Sequence, residues 1–482
     1  MNGTVEGLSG VPLRVVAAEG DGPLPIIIPA TDETGAASRA FKPNDDGLFK
    51  DLYISGIDDL GNFTEDSKNS IRAQKKGGRY EIYGCFLDYN FQSFVRMNAD
   101  SQKLYIKDSI FRNCGSLVDP GDSKMIDTRG RHQDTVFVQN STFYSGTGRL
   151  IRSDRSPINY LMFDHVTVVQ FGDRVEIEKV IDAKITNSLF VDMQFEGTIL
   201  SPGNPADTLL AEIIDLDSLK APELRAEEAR NIMYSNNNFA FSPELMAWFN
   251  SVDTLHAPVL FNDVGQAMLD RFPNMVAENN ISELPTFTDA PPIAPVVAYA
   301  QHRLATNRDN LSNPDMHQDR NGTGALGDDP STFGPAPDEF DFDYATTDAS
   351  YTHAEGGFPL GDLNWFPAKK AEWEDFISGV DDENEPSVPD RFTLQQNYPN
   401  PFNPSTTIVY RLNVPSNVNL TVYNILGQKI RTLVKDKRQV ADEYSFQWDG
   451  LDDNGRRVAS GLYLYRLESD KQVQTKKMLL LK

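Results

Sequence analysis

Five short segments decide how this chain folds: "EIYGCF" (81–86), "YIKDSIF" (105–111), "FVQNSTF" (137–143), "MFDHVTV" (162–168) and "KITNSLF" (184–190). Each carries two apolar residues two apart, then Gly, Asp or Asn, a small or polar residue, and another apolar residue. Taking the turn residue as an anchor gives Gly84, Asp108, Asn140, Asp164 and Asn187, spaced 24, 32, 24 and 23 residues apart. "YISGI" (53–57) adds an earlier anchor at Gly56, and "YSNNNF" (234–239) a later one at Asn236, 49 residues on, room for two coils or one decorated coil. Alternation gives each short run one inward face. Asn, Asp and Gly tolerate the left-handed backbone that a sharp corner demands. A fixed period of this length with β-type runs is the mark of a stacked solenoid. The 32-residue step is expected to absorb the loop "SLVDPGDSK" (116–124). Helical repeats would need more helix formers and a different spacing.

The pattern predicts an all-β fold class: a right-handed parallel β-helix with helical and loop decoration over residues 1–300. Across about residues 12–240 it resembles the pectin-lyase-like β-helices, particularly those of Bacteroidetes surface proteins. The resemblance is one of pattern and not of catalytic motif.

The second strand of each coil carries charge. Twelve residues after an anchor come Arg96, Arg152 and Glu176, and the inserted loop shifts Asp127 into that place in the third coil. Coils stack ~4.8 Å apart, so the expected column alternates in sign: Arg96, Asp127, Arg152, Glu176. Two residues further on, expected to face the same way, come Asn98, Arg129, Asp154 and Glu178. One reading is an exposed ladder of ion pairs, each worth at most ~1 kcal/mol. The other is a polar groove for a sugar chain, gripped by arginine forks. In a lyase, Arg152 would be the base beside Asp127 and Glu176, with calcium helping to neutralise a substrate carboxylate. In a hydrolase, Asp127 and Glu176 would be the carboxylate pair, two rungs apart. Arg96, Asn98, Arg129, Asp154 and Glu178 would then bind substrate. His132 and His165 are expected at surface and corner positions. No Ser-His-Asp pattern, phosphate-binding loop or metal-binding His pair is present.

Composition narrows the function classes. The chain has 482 residues and a net charge of −25. The acidic excess lies in residues 201–390, which carry −25, against −6 before and +6 after. A nucleic-acid binder would concentrate basic charge on its binding domain, so no nucleic-acid partner is expected. No apolar run approaches the ~18–20 residues of a membrane helix. The two cysteines, Cys85 and Cys114, fit neither a disulfide framework nor a zinc site and are expected to be buried. A monomer is expected.

In the middle region, "APELRAEEARN" (221–231), "SPELMAWFN" (242–250) and "NDVGQAMLDRF" (262–272) read as helices. Ser242 is the expected cap of the second, with Pro243 in its first turn. These helices would cover the open end of the solenoid, where a strand edge would otherwise be exposed. Residues 301–375 read as an acidic, loop-rich closing segment. Within it "DEFDFDY" (338–344) suits an edge strand, with Asp341 and Asp343 on one face where calcium could sit. "EGGFPLGDLNWFP" (355–367) is expected to dock Trp365 and Phe366 on the core. Residues 376–390 read as a linker.

The last block, 391–482, holds short alternating runs separated by turn residues: "TTIVYRL" (406–412), "NVNLTVYN" (417–424), "KIRTLV" (429–434), "YSFQW" (444–448), "GLYLYRLE" (461–468) and "QTKKMLLLK" (474–482). That is an antiparallel Ig-like sandwich. Pro399, Pro401 and Pro404 lack backbone donors and fix φ, so the leading loop cannot extend a sheet edge. "NYPNPFNPSTTIVYRL", "VYNILGQKIRTLV", "WDGLDDNGRRVASGLYLYRL" and "KKMLLLK" together resemble the type A C-terminal sorting domain of type IX secretion substrates. That domain is related to the Ig-like module of flagellar hook-capping proteins. The resemblance implies export across the outer membrane through the type IX machinery, then release or surface anchoring. The start, "MNGTVEGLSGVPLRVVAAEG", has no basic n-region and no apolar h-region, so a signal-bearing N-terminus is expected upstream. The combined expectation is a secreted or surface protein that binds or degrades polysaccharide. The alternative is a non-catalytic adhesion or carbohydrate-binding protein.

Overall fold

A computed structural model of the chain describes residues 5–18, 24–28, 41–57, 68–116, 120–153, 156–199, 210–217, 230–306, 313–317, 340–379, 392–394, 397, 399–400, 402–412, 416–424, 429–440, 442–453, 455–458, 461–469 and 472–480. The fold is mostly β: of the described residues 49% are strand and 15% helix. The chain divides into two compact units, Met1–Val380 and Asp381–Lys482.

The first unit is built from parallel sheets whose strands pair one sequence repeat apart. An eight-stranded sheet runs through Asn69–Ala73, Ser93–Met97, Lys124–Asp127, Arg149–Arg152 and Val175–Glu176 to Ile214–Asp215. A fifteen-stranded sheet holds two further columns, one through Arg79–Tyr83 and Lys103–Lys107, the other through Phe86–Asn90 and Ile110–Cys114. The long strands Gln133–Gly146 and Ile158–Phe171 pass through both columns and join them. Inside, like stacks on like: Phe49, Ile82, Ile106, Val138, Phe163, Ile185 and Tyr234 follow one another in register. All seven are buried, and full burial of one such side chain stabilises by about 1.5–3 kcal/mol.

The corners explain the sequence pattern. Gly84, Asp108, Asn140, Asn187 and Asn236 all adopt positive φ, between 43° and 60°. Two anchors are misplaced by sequence. In the fourth coil the left-handed residue is His165 (φ 53°), not Asp164, and in the early coil it is Asp51 (φ 56°), not Gly56. Gly56 is needed for another reason: a Cβ there would lie 1.8 Å from the Tyr89 carbonyl oxygen. The small residue after the anchor also has a task. Ser109, Ser141 and Ser188 each donate to the carbonyl two residues back (2.7–2.8 Å). Each also accepts a backbone N–H from the coil before it, those of Cys85, Ser109 and Val166. A second corner series, Tyr89, Asn113, Ser145, Gln170 and Asp192, is left-handed as well. Its mixed residue types conceal it in the sequence.

The 49-residue step is a single decorated coil, because Val180–Thr186 pairs directly with Asn231–Ser235. Residues 221–229 of the first expected helix lie outside the described residues, and Asn231 begins a strand. The other two form: α1 (Pro243–Phe249) and α2 (Asp263–Arg271). Ser242 holds the cap position of α1 without a side-chain cap bond, and its N–H goes instead to Asp192 (2.7 Å). α3 (Ala294–Ala305) has no counterpart among the expected helices, although Val296, Tyr299, Ala300 and Arg303 mark one buried face at helical spacing. Asp341–Tyr344 pairs antiparallel with Phe287–Asp289. α4 (Pro367–Gly379) runs into the stretch expected to be linker.

The closing segment is tied to the corner column. Asp362 accepts from Thr142 Oγ1 (2.8 Å), Trp365 Nε1 donates to the same hydroxyl (2.8 Å), and Lys370 reaches Asp108 (2.7 Å).

In the second unit two antiparallel sheets form the sandwich. One pairs Phe392–Leu394, Thr406–Leu412 and Glu443–Trp448; the other orders Lys429–Gln439, Ser416–Asn424, Gly461–Ser469 and Gln472–Leu480. Trp448, Tyr410, Tyr465, Leu420 and Val422 centre its core.

Candidate functional site

The charged column forms in the expected register. Arg96 pairs with Asp127 and Asp127 with Arg152. Ile151 opposite Val175 brings Glu176 to the next rung. The structure extends the column at both ends, with Arg72 before Arg96 and Asp215 after Glu176. Its exposure corrects the picture of a solvated ladder: Arg96 is 5% exposed, Asp127 0%, Arg152 7% and Glu176 1%. Arg96 Nε lies 3.0 Å from Asp127 Oδ2, and Asp127 Oδ1 accepts the Arg129 N–H at 2.9 Å. Glu176 takes Arg149 Nη1 at 2.7 Å and the Ser153 N–H at 3.1 Å. Burial holds the Arg96 guanidinium below its ordinary pKa against the pull of Asp127.

The second row does not share one face. Asn98 is half-buried and donates to Gln74 (3.1 Å), Arg129 is exposed on a left-handed corner (φ 53°), and Glu178 is buried. Asp154 lies outside the described residues.

The column leads into a cavity that sequence reading missed. Arg149 bridges Glu176 to Asp173, 2.9 Å from its Oδ2. Asp173 lines a cavity of about 540 Å³ together with Arg174, Glu196, Glu212, Asn262 and Arg303. Gln194 spans the wall, donating to Asp173 Oδ1 (3.4 Å) and the Glu212 carbonyl (3.3 Å). Arg174 sits between carboxylates, 3.3 Å from Glu212 Oε1 and 3.0 Å from Asp215 Oδ2. Arg303 Nε contacts Glu196 at 3.0 Å. Asn262 caps α2 through Oδ1, which accepts from Val264 and Gly265 N–H, leaving Nδ2 to hydrogen-bond Glu212 Oε2. Gly172 leaves part of the wall bare, since a Cβ there would meet the Thr147 carbonyl at 2.2 Å.

Burial pushes the Glu212 carboxyl up to about 7, with Asp215 adding to it and Arg174 and Asn262 opposing. The wall residues come from sequence positions as far apart as 120 and 303. The only local signal is "GDRVE" (172–176), a charged pair beside a corner.

Among the described residues no group of three or more His, Cys, Asp or Glu is arranged to hold a metal ion. Asp343 N–H donates to Asp341 Oδ1 at 3.0 Å. Cys85 and Cys114 are free and buried, and burial pushes both thiols up to about 12. No helix among the described residues is long and apolar enough to cross a membrane.

In the second unit Asn397 makes three of the hydrogen bonds that fasten the leading loop. The Asn397 side chain donates to Thr406 Oγ1 (2.9 Å) and the Pro399 carbonyl (3.1 Å), and its backbone N–H donates to Tyr465 OH (2.9 Å). Thr406 Oγ1 closes the loop onto Pro399 (2.8 Å). Phe402 packs on Trp448, ring centroids 5.6 Å apart.

Residues 404–472 match the FlgD Ig-like domain family, so the second unit contains an FlgD Ig-like domain. No curated protein matches the chain. Among solved structures, one similar chain is PorZ, described as an essential bacterial surface component of the type-IX secretion system of Porphyromonas gingivalis. It is 19% identical over 18% of this chain and 11% of its own, with a TM-score of 0.14. Another is dimeric latent PorU from the same organism, 22% identical over 19% of this chain and 9% of its own, with a TM-score of 0.17. The match therefore spans about a tenth of each of those proteins.

Proposed function

We propose that this chain is a secreted or cell-surface protein in which a right-handed parallel β-helix handles polysaccharide and residues 391–482 act as a type IX secretion sorting domain. The observation that carries the reading is the C-terminal motif set, which runs in order through a folded FlgD Ig-like domain that follows, in sequence, a stack of parallel coils. The passenger is residues 1–300 with a closing segment at 301–375 and a linker up to residue 390. The charged column Arg96–Asp127–Arg152–Glu176 orders one face of that passenger, and the polar cavity at its end is where a sugar chain has room.

Two roles fit. As an enzyme, a lyase or hydrolase would use Arg152, Asp127 and Glu176 at the reacting bond. As a binding protein, the same column would be a scaffold. The mutual pairing of Arg96 with Asp127 and of Arg149 with Glu176 favours the scaffold role. A screen of glycans for reducing ends and unsaturated products, with and without calcium, separates the two. Product release lost in Arg152→Ala, with the fold intact, supports the enzyme; binding without turnover across the panel supports the scaffold. Export has its own test in a full-length, signal-bearing gene. Deleting 391–482 is expected to trap the protein in the periplasm, and unimpaired secretion would overturn the sorting role.

A further inference from the structure

The cavity beside the column has a chemistry of its own. Its volume, about 540 Å³, falls within the roughly 300–1,000 Å³ typical of small-molecule sites. Its wall is polar: the Asn262 and Gln194 amides, the Thr147 and Thr198 hydroxyls, and bare backbone at Gly148 and Gly172. The amides and the Thr147 hydroxyl also bond within the wall, Asn262 to α2 and Glu212, Gln194 to Asp173 and the Glu212 carbonyl, and Thr147 to Ser123, so a hydroxyl-rich ligand is met by their remaining lone pairs and by those of the carboxylates.

Charge decides which sugar. The lining holds three acidic side chains, Asp173, Glu196 and Glu212, against two guanidinium groups, Arg174 and Arg303. Both arginines are already engaged by carboxylates of the protein. Arg303 lies 3.0 Å from Glu196, and Arg174 lies 3.3 Å from Glu212 and 3.0 Å from Asp215. Arg149, just behind, is shared by Asp173 and Glu176. A uronate entering here would have to displace a resident carboxylate from its partner. It would then leave that carboxylate poorly paired in a sheltered site, which costs far more than a solvated contact. A neutral ring has no such penalty. Its hydroxyls can donate to Asp173 and Glu196 without disturbing their ion pairs, because a carboxylate has lone pairs for several donors.

We propose that the cavity bounded by Asp173, Arg174, Glu196, Glu212, Asn262 and Arg303 is a saccharide-binding site selective for glycan units without a carboxylate. The proposal rests on the reading of the chain as a polysaccharide-handling protein and names the substrate class. It places recognition in the cavity and not on the column of Arg96, Asp127, Arg152 and Glu176.

The test is calorimetric titration of the full chain with β-1,4-linked hexamers of glucose, mannose and xylose, and with hexamers of galacturonate and mannuronate. Two variants accompany it, Leu210→Trp, which fills the cavity without removing a member of its ion pairs, and Glu196→Gln, which removes the carboxylate 3.0 Å from Arg303. Circular dichroism and the thermal midpoint check that each variant folds. The expected result is binding of at least one neutral hexamer, weakened tenfold or more by Leu210→Trp, with no uronate binding until Glu196→Gln is introduced. Neutral binding that Leu210→Trp leaves unchanged would overturn the site while leaving the polysaccharide reading intact. Preferential uronate binding, lost in Leu210→Trp, would overturn the selectivity. Silence from every hexamer would overturn this site and the polysaccharide reading together.

Discussion

Replacing Asp127 by asparagine removes one charge and almost no volume, and the structure makes the consequence large. Asp127 is fully buried between Arg96 and Arg152, with Arg72 one rung beyond Arg96. It is the one acid among these four stacked residues. The new amide would keep an acceptor for the Arg129 N–H, but Arg96 and Arg152 would lose the carboxylate that lies between them. Breaking a buried pair by removing one partner costs about 3–5 kcal/mol, whereas the same change in an exposed pair costs ~1 kcal/mol or less. The buried figure applies, since Arg96 is 5% exposed and its guanidinium is already held below its ordinary pKa by burial. The assay is urea unfolding of the first unit, read by circular dichroism and by the fluorescence of Trp248, Trp365 and Trp373. Arg96→Met alone should cost a similar amount, because it takes from buried Asp127 the guanidinium 3.0 Å away. The double variant Arg96→Met/Asp127→Leu should recover part of the loss, since apolar replacement of a buried pair is often neutral or stabilising, while Arg152 still lacks the carboxylate. A loss below ~1 kcal/mol for Asp127→Asn, or simple additivity in the double variant, would refute the argument that the column is a buried, mutually dependent network.

Other outcomes follow from particular residues. Asp362 and Asp192 are buried carboxyls pushed up to about 6, and Glu212 to about 7, by burial. An acid raised on folding stabilises below its unfolded pKa and loses that contribution as pH rises through the folded value. The first unit should therefore lose stability between pH 4 and 7, with about 3 kcal/mol from Asp362 alone, and Asp362→Asn should flatten the limb near pH 6 in thermal melts. Asp164, held low by His165 and the Asn187 and Gln139 amides against its burial, acts oppositely and only below pH 4. Asn397→Ala removes the bonds to Thr406 and Pro399 and should destabilise the isolated second unit by about 1–3 kcal/mol, read by Trp448 fluorescence; an unchanged midpoint would show that the loop is not fastened there. Cys85 and Cys114 should resist a thiol reagent at pH 8 in the native protein and react at the rate of unfolding, whereas prompt labelling would contradict their burial.

Much of the fold was legible because parallel strands paired one repeat apart meet the same physical demand at a regular interval. The corner needs a left-handed residue, and Gly84, Asp108, Asn140, Asn187 and Asn236 advertise it by type. Where the type was misleading, the reading slipped by one residue, as at His165, or by five, as at Asp51. The antiparallel strands of the second unit were equally plain, because each alternates and ends on turn residues. The column was legible in register yet not in burial, since exposure depends on how long side chains lie over one another across rungs. The cavity was legible only as the charged pair Asp173–Arg174 beside a corner. Asp173, Glu196, Glu212, Asn262 and Arg303 meet only through the stacking of coils and the placement of α2 and α3, and no local pattern encodes that meeting. Asn262 shows the difficulty well: its sequence signature is a helix cap, and its second task on Glu212 exists only in three dimensions.

The most direct measurement asks whether the second unit is an address. It has its own core and its own strand pairing, so residues 391–482 can be joined to a signal-bearing, normally periplasmic reporter in a bacterium that has type IX secretion. The account predicts reporter on the cell surface or in the medium, lost when the secretion machinery is disabled. Reporter retained in the periplasm, with the appended domain folded and intact, would contradict it.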